Sequence, residues 1–250
     1  MTKRTLGVSI VALVSILLSP LVANEKTMRV AKTEVPIQID GKMEESPWAT
    51  TEERTFDHFY KIEKSSDRQQ TRFRMLWDDK TLYVFFECDD QYITARERAR
   101  DGQPYFDDCA EIFIIPVPAP LDTHLGFEVN LFKASNDFVF FNDYHDNRDT
   151  AFKPFDPDFE VEVCYQGSLN NNDDTDKGWT MEMAIPLEAF GTLANFEPME
   201  AGNEWTFLAV RQDRNDPTGN RRSTSTIFPL EDPRQSVHAP ENFGRMRFVD

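Results

Sequence analysis

Acidic side chains offer the first chemistry in this sequence. Asp107, Asp108 and Glu111 lie close together, and Glu128 follows in a separate apolar run. Two carboxylates flanking a glycosidic bond are what glycoside hydrolysis requires. The chain holds 44 acids, however, so such pairs arise throughout it, and solvated acids at strand ends account for most of them. Binding needs a different set of groups. A sugar presents C–H faces to an aromatic ring and hydroxyls to acids, amides or arginine. Tyr105 and Phe106, next to Asp107, Asp108 and Glu111, have that chemistry, and so does Arg211 with Gln212. With 21 Phe, 6 Tyr and 4 Trp, the default role of an aromatic is core packing. That role suits Trp48, Trp77, Trp179 and Trp205, which fall within strand or helix patterns. Tyr105 follows Gly102 and Pro104 in a loop, where core packing explains it less well.

Other chemistries find weaker footing. Asn172–Gly178 has the composition of a calcium loop, but its glycine is one place late and no Glu stands where a bidentate ligand is needed. It reads better as a hairpin tip, like the acids of 213–216 and Asp143, Asp146 and Asp149. A structural Ca²⁺ held by loop oxygens is compatible with so acidic a chain, although spacing names no site for it, and no other cofactor is implied. The four His (58, 124, 145 and 238) lack zinc-ligand spacing. Neither a Gly-x-Ser-x-Gly elbow nor a Gly-rich phosphate loop is present. Nothing here commits the chain to catalysis.

The elements that must position these groups are short and apolar. Runs rich in Phe, Val, Ile and Tyr recur between Asp/Asn/Gly/Pro clusters, the pattern of a sandwich or barrel. Val35–Ile39 is expected to open the series. In the clearest hairpin, Phe73, Met75 and Trp77 alternate with Arg72 and Arg74, Asp78–Lys80 turns, and Leu82, Val84, Phe86 and Cys88 resume the alternation. Tyr83 and Phe85 point the other way, which predicts a central strand covered on both faces. Further strands are expected at 110–115, 127–132, 138–141, 159–165, 179–185, 205–213 and 244–249. Short helices are expected after Met43, over Ile93–Arg100, and at Pro186–Gly191. Roughly ten strands without repeats or a long linker predict one antiparallel β-sandwich (jelly-roll or immunoglobulin-like) with a few short helices.

Lys3 and Arg4, the apolar stretch from Leu6 to Leu18, and the break at Pro20 before Asn24 have the form of a secretory signal peptide over residues 1–23. The stretch falls short of the ~20 residues that span a bilayer. The expectation is export to the periplasm or beyond, a domain over 24–250, and no membrane span. The net charge of −17 repels polyanions and no Lys/Arg cluster offsets it, so nucleic acid is not an expected partner. Cys88, Cys109 and Cys164 make an odd count; the first two sit in strand patterns as ordinary core residues.

Several segments together resemble the family 9 carbohydrate-binding modules and their DOMON-like relatives. IDGKMEESPWA, RMLWDDKTLYVFFECDD, DDCAEIFI with FEVN, GWTMEMAIPLEAFG, NEWTFLAVRQD and HAPENFGRMRF follow in the family's order, from Ile37 to Phe248. The resemblance implies a β-sandwich that binds a glycan or polysaccharide without catalysis, near polysaccharide breakdown. It places an aromatic clamp on Tyr105 and an acid on Glu111. Glu128, just before Val129-Asn130, stands where the family carries Arg, and Val237 stands where it carries a second clamp tryptophan, with His238 adjacent. The expected ligand-binding residues are thus Tyr105, Glu111, Glu128, Asn130, Arg211 and His238. Two other readings stay open. One is a haem or redox module, for which Met75, Met181, Met183, Met246 and His238 are the candidate axial ligands; the other is a glycoside hydrolase accessory.

Overall fold

A computed structural model of the chain describes residues 26–145, 148–192, 196–216, 218 and 220–250; the expected signal segment, 1–23, and Asp146 lie outside them. In chain order the strands are β1 (Thr27–Lys32), β2 (Glu53–Thr55), β3 (His58–Tyr60), β4 (Thr71–Trp77), β5 (Thr81–Asp89), β6 (Cys109–Ile115) and β7 (Thr123–Asn130). There follow β8 (Ser135–His145), β9 (Arg148–Phe152), β10 (Glu160–Gln166), β11 (Gly178–Pro186), β12 (Glu204–Arg214), β13 (Arg222–Thr226) and β14 (Gly244–Val249). One short helix, α1 (Ser46–Thr50), and four 3₁₀ turns complete the elements among the described residues. None of the helices is long and apolar enough to cross a membrane.

Hydrogen bonding runs continuously through β10-β11-β5-β4-β1-β14-β12-β6-β7-β8-β9, with β13 and β3 branching from β12 and β2 from β4. The two halves of this path face each other as a sandwich, with β1 as the seam. The expected all-β sandwich is thus present. Its pairing is antiparallel except at the seam, where β1 runs parallel to both β14 and β4. Alternation along the strands sends Phe73, Met75, Val84 and Phe86 of one half against Ile112, Phe127 and Phe207 of the other, all fully buried. Phe73 stacks on Phe207 at 6.3 Å and Trp77 meets Phe248 edge-on at 5.6 Å, so aromatic contacts tie the halves together. Each such side chain contributes ~1.5–3 kcal/mol on burial. The four tryptophans are core residues, at most 2% exposed.

The outer face of β5 is covered as the sequence suggests. Tyr83 and Phe85 pack with Trp48, Leu76 and Ala184 in a second, smaller cluster. Glu182 ties this layer down: one oxygen accepts the Trp48 indole N–H at 3.2 Å, the other the backbone N–H groups of Asp40 and Gly41 at 3.0 Å each. Gly41 sits at φ +77° with Cys164 Sγ only 3.1 Å from where a Cβ would lie, which explains the glycine. All three cysteines are free thiols.

Two expected elements are absent. Residues 35–39 are not a strand, and β1 opens the fold instead. The Thr33 hydroxyl closes a tight turn, donating to the Val35 carbonyl and accepting the Val35 N–H, and Pro36 has no N–H to offer a neighbour. Ile37 and Ile39 serve instead as a lid on the second cluster. Residues 93–100 are not a helix, because side chains distant in sequence or buried beneath them claim their backbone donors. Asp176 accepts Ile93 N–H, Asp108 accepts Thr94 N–H, Asn170 accepts Ala95 N–H, and Asp107 accepts both Arg96 and Glu97 N–H. Five donors bonded outward leave no helical ladder.

Candidate functional site

The strand period of two decides which side chains can meet a ligand. On β6, Ala110 and Ile112 face the other sheet, so Glu111 and Phe113 lie on the opposite face, where Phe113 is covered by His238 and Phe243. Glu111 lies directly opposite Glu128 on β7. Gln212, on the same outer face of β12, donates to Glu111 Oε2 at 3.3 Å and accepts the Thr224 hydroxyl at 2.8 Å. Asn136 Nδ2 donates to Glu128 Oε2 at 2.6 Å. Glu111, Glu128 and Gln212 form the floor of a cavity of about 290 Å³. Although the cavity is open, the two carboxyls are 1% and 4% exposed, so they look up from beneath its surface. Burial, and for Glu111 the neighbouring Glu128 charge, pushes both toward their neutral forms; Glu128 is lifted to about 7 and Glu111 well above the ordinary range. Glu111 Oε1 has no hydrogen-bond partner.

Four segments wall this floor. The turn Pro104–Phe106 begins on proline, whose fixed φ suits a first helical position, and it raises Tyr105 and Phe106 with ring centroids 4.9 Å apart. Arg222 of β13 places its guanidinium 4.5 Å over the Phe106 ring and donates to the Tyr105 carbonyl at 3.2 Å. Lys61, in the left-handed region at φ +59°, forms part of the rim; holding a lysine there costs ~1–2 kcal/mol. The fourth wall is the loop carrying Val237 and His238. Asp232 shapes it by accepting from Arg234 N–H, Ser236 N–H and the Asn242 amide at 2.7–2.9 Å. His238 lies flat on Phe140 at 4.2 Å and is hydrogen-bonded to His124 at 3.2 Å. Gly126 gives this aromatic bed its room, since a Cβ there would meet the Phe138 ring at 2.3 Å. Burial disfavours both imidazolium forms; His238 falls to about 4 and His124 well below the usual range.

Tyr105, Glu111, Glu128 and His238 therefore converge on one cavity, with Val237 beside them. Asn130 and Arg211 stand elsewhere. Asn130 is buried, donating to the Glu97 carbonyl and Asp107 at 2.9 Å each while accepting Phe132 and Ala134 N–H at 3.0 Å. Its hydrogen-bonding capacity is used up holding loops. Arg211 points into the sandwich, the opposite way from Gln212. It bonds the Asp89 carbonyl at 2.8 Å and Asp90 at 3.1 Å, pairs with Asp213 at 3.4 Å, and lies over the Trp179 ring. Lys61 and Arg222 were not singled out from sequence. Arg222 belongs to β13, whose Arg-Ser-Thr-Ser-Thr run lacks the apolar alternation that marks other strands.

Among the described residues, Asp90, Asp108 and Asp213 form a group whose ligand atoms all lie within 4.8 Å of one another. Ca²⁺ takes about six to eight oxygens. Here Arg211 already bonds Asp90 and Asp213, so the donor set does not fit a Ca²⁺ unless that guanidinium is displaced. Asp176, in the loop that resembled a calcium site in composition, instead accepts the Ile93 and Ser168 N–H groups. Met75, Met181, Met183 and Met246 are all fully buried in the core.

The profile of the family described as "Carbohydrate family 9 binding domain-like" matches residues 39–250. No curated protein matches the chain. Among solved structures, a carbohydrate binding module family 9 from Caldicellulosiruptor kristjanssonii in complex with cellotriose is 19% identical with a TM-score of 0.60, over 90% of this chain and 94% of that one. The same module in complex with glucose gives 19% and 0.58, over 89% and 95%. A protein of Bacteroides uniformis ATCC 8492 assigned as carbohydrate-binding is 16% identical with a TM-score of 0.66, over 89% and 99%. At these identities the likeness shows the shared fold.

Proposed function

Since the chain belongs to the carbohydrate family 9 binding domain-like family, we propose that it is a non-catalytic carbohydrate-binding module and that the cavity over β6, β7 and β12 is its sugar site. The observation that carries this reading is the meeting of the Tyr105 ring, at the rim, with Glu111, Glu128 and Gln212 on the floor below it. A ring for C–H faces and fixed acceptors and amides for hydroxyls is the equipment a sugar site needs, with few polar groups in set places. The module from C. kristjanssonii, with the same fold, has been seen with cellotriose and with glucose. Binding without catalysis fits the placement of the acids: both rise from neighbouring strands of one floor, whereas glycosidic cleavage uses carboxyls on either side of the bond. Export by the leader at residues 1–23, and a role beside polysaccharide breakdown, complete the proposal.

Calorimetry against a panel of soluble glycans tests it. Saturable binding that weakens in Tyr105→Ala is the expected result, and silence across a broad panel would sink the reading. Sugar release that disappears in Glu111→Gln would overturn its non-catalytic half.

A further inference from the structure

The floor of the cavity carries an imbalance that a neutral sugar does not resolve. Glu111 and Glu128 are direct cross-strand neighbours, an arrangement that is destabilising for like charges. Each is fixed by a single amide, Gln212 for one and Asn136 for the other. Glu111 Oε1, on a side chain 1% exposed, has no partner at all. The nearby protein cations do not fill that role: Arg222 is turned to the Tyr105 carbonyl and the Phe106 ring, Lys61 stands at the rim, and Lys153 Nζ donates to the Asp101 carbonyl, so among the described residues none is hydrogen-bonded to either carboxyl. An unpartnered buried carboxylate oxygen costs ~1–3 kcal/mol or more. What removes both costs together is a compact cation with several donors, entering from the open side.

Resting on the sugar-site reading above, we propose that the preferred ligand is an amino sugar with a free ammonium group, held between Glu111 and Glu128 with its ring against Tyr105. An ammonium brings three donors, enough for Glu111 Oε1 and a Glu128 oxygen together, and its charge favours the ionised forms that burial opposes while offsetting the repulsion between them. An N-acetyl group offers one donor and no charge; a hydroxyl offers one donor. The acids thus select for the amine, and the aromatic supplies the general sugar contact.

The test compares β-1,4-linked oligomers of glucosamine, N-acetylglucosamine and glucose, matched in length, by calorimetry on the full chain at neutral pH. The glucosamine oligomer is expected to bind at least about tenfold tighter than either neutral one, the size of one charge-assisted hydrogen bond. Glu111→Gln and Glu128→Gln, isosteric changes checked for folding by circular dichroism, are each expected to bring the three ligands toward parity. Equal or tighter binding of neutral oligomers by the unmodified protein overturns this inference and leaves the sugar-site reading standing. A glucosamine preference that survives both variants also overturns it, since general attraction to an acidic protein would then be the cause. Failure of all three oligomers to bind tells against the site reading and this inference together.

Discussion

Two groups of buried acids lie on opposite sides of the β12-β6-β7 sheet, and the protein treats them differently. Between the sheets, Asp90, Asp108 and Asp213 surround Arg211. Asp108 accepts Thr94 and Arg214 N–H at 2.5 and 2.6 Å, and Asp90 accepts the Trp179 indole at 2.9 Å. Burial opposes the guanidinium's charge, but Asp213 and Asp90 beside it hold its pKa above the ordinary value. On the outer face, Glu111 and Glu128 have amides but no ion pair among the described residues, Lys61 and Arg222 standing only at the cavity rim, and one oxygen is left open. The inner acids organise chain: Asp108, together with Asp107, Asn170 and Asp176, keeps 93–97 out of a helix, and it also holds the end of β12 at Arg214. The outer acids organise nothing of that length. A fold that buries an arginine against one group, and gives the other only Lys61 and Arg222 at its rim, leaves the second pair open to a ligand of the kind proposed above.

Removing the inner cation tests this contrast most severely. Arg211→Ala should cost about 3–5 kcal/mol in chemical denaturation, because it strands Asp90 and Asp213 without their partner. A loss under ~1 kcal/mol would mean that those acids are held neutral and that the two groups do not differ as described. Asn130→Ala comes next, with about 2 kcal/mol lost through the unbonded loop groups. Glycan affinity at near-native conditions should be unchanged in the folded variant; direct loss of affinity would bring Asn130 back into the site.

On the outer face the sign reverses. Because folding raises the Glu128 pKa to about 7, the folded state holds its proton more tightly than the unfolded chain. This contribution to stability is full below the ordinary glutamate value and is lost as pH rises toward 7 and beyond. Glu128→Gln should therefore flatten the decline in Tm between pH 5 and pH 8, and stabilise the protein at pH 8 by roughly 1–3 kcal/mol, at ~1.4 kcal/mol for each tenfold change in proton affinity. A variant less stable at pH 8 would show that Glu128 has a structural cation after all. Tyr105→Ala should move stability least, within about 0.5 kcal/mol, while weakening glycan binding about tenfold. The opposite pattern, lower stability with intact binding, would make Tyr105 a packing residue.

The hairpin of β4 and β5, its two-sided burial and the four core tryptophans were legible in the sequence because alternation and turn residues are local. The Glu111 and Glu128 floor was reached through the family's motif positions, Glu111 matching the family's acid and Glu128 replacing its Arg, and strand register now places the two side by side. What was not legible is long-range. Ile93–Arg100 has no local signal that Asp107, Asp108, Asn170 and Asp176 will take its amides. Arg211 and Gln212 were both candidates, yet adjacent strand residues face opposite ways, so only one could reach a given ligand. Which one does depended on Asp90, far away in sequence and adjacent only once the sandwich forms.

The seam strand has a consequence for biogenesis. β1 pairs Thr27 with Arg245 and Ala31 with Val249, so the first strand finds its main partner near residue 250. Contacts so distant in sequence form slowly, since the whole intervening loop must close first. A chain still being synthesised has no β14 with which to close the seam, and its two halves cannot be locked together. If the leader at 1–23 directs export, that delay has a use: the polypeptide reaches the translocation machinery unlocked, and the seam closes only after residues 244–249 have crossed.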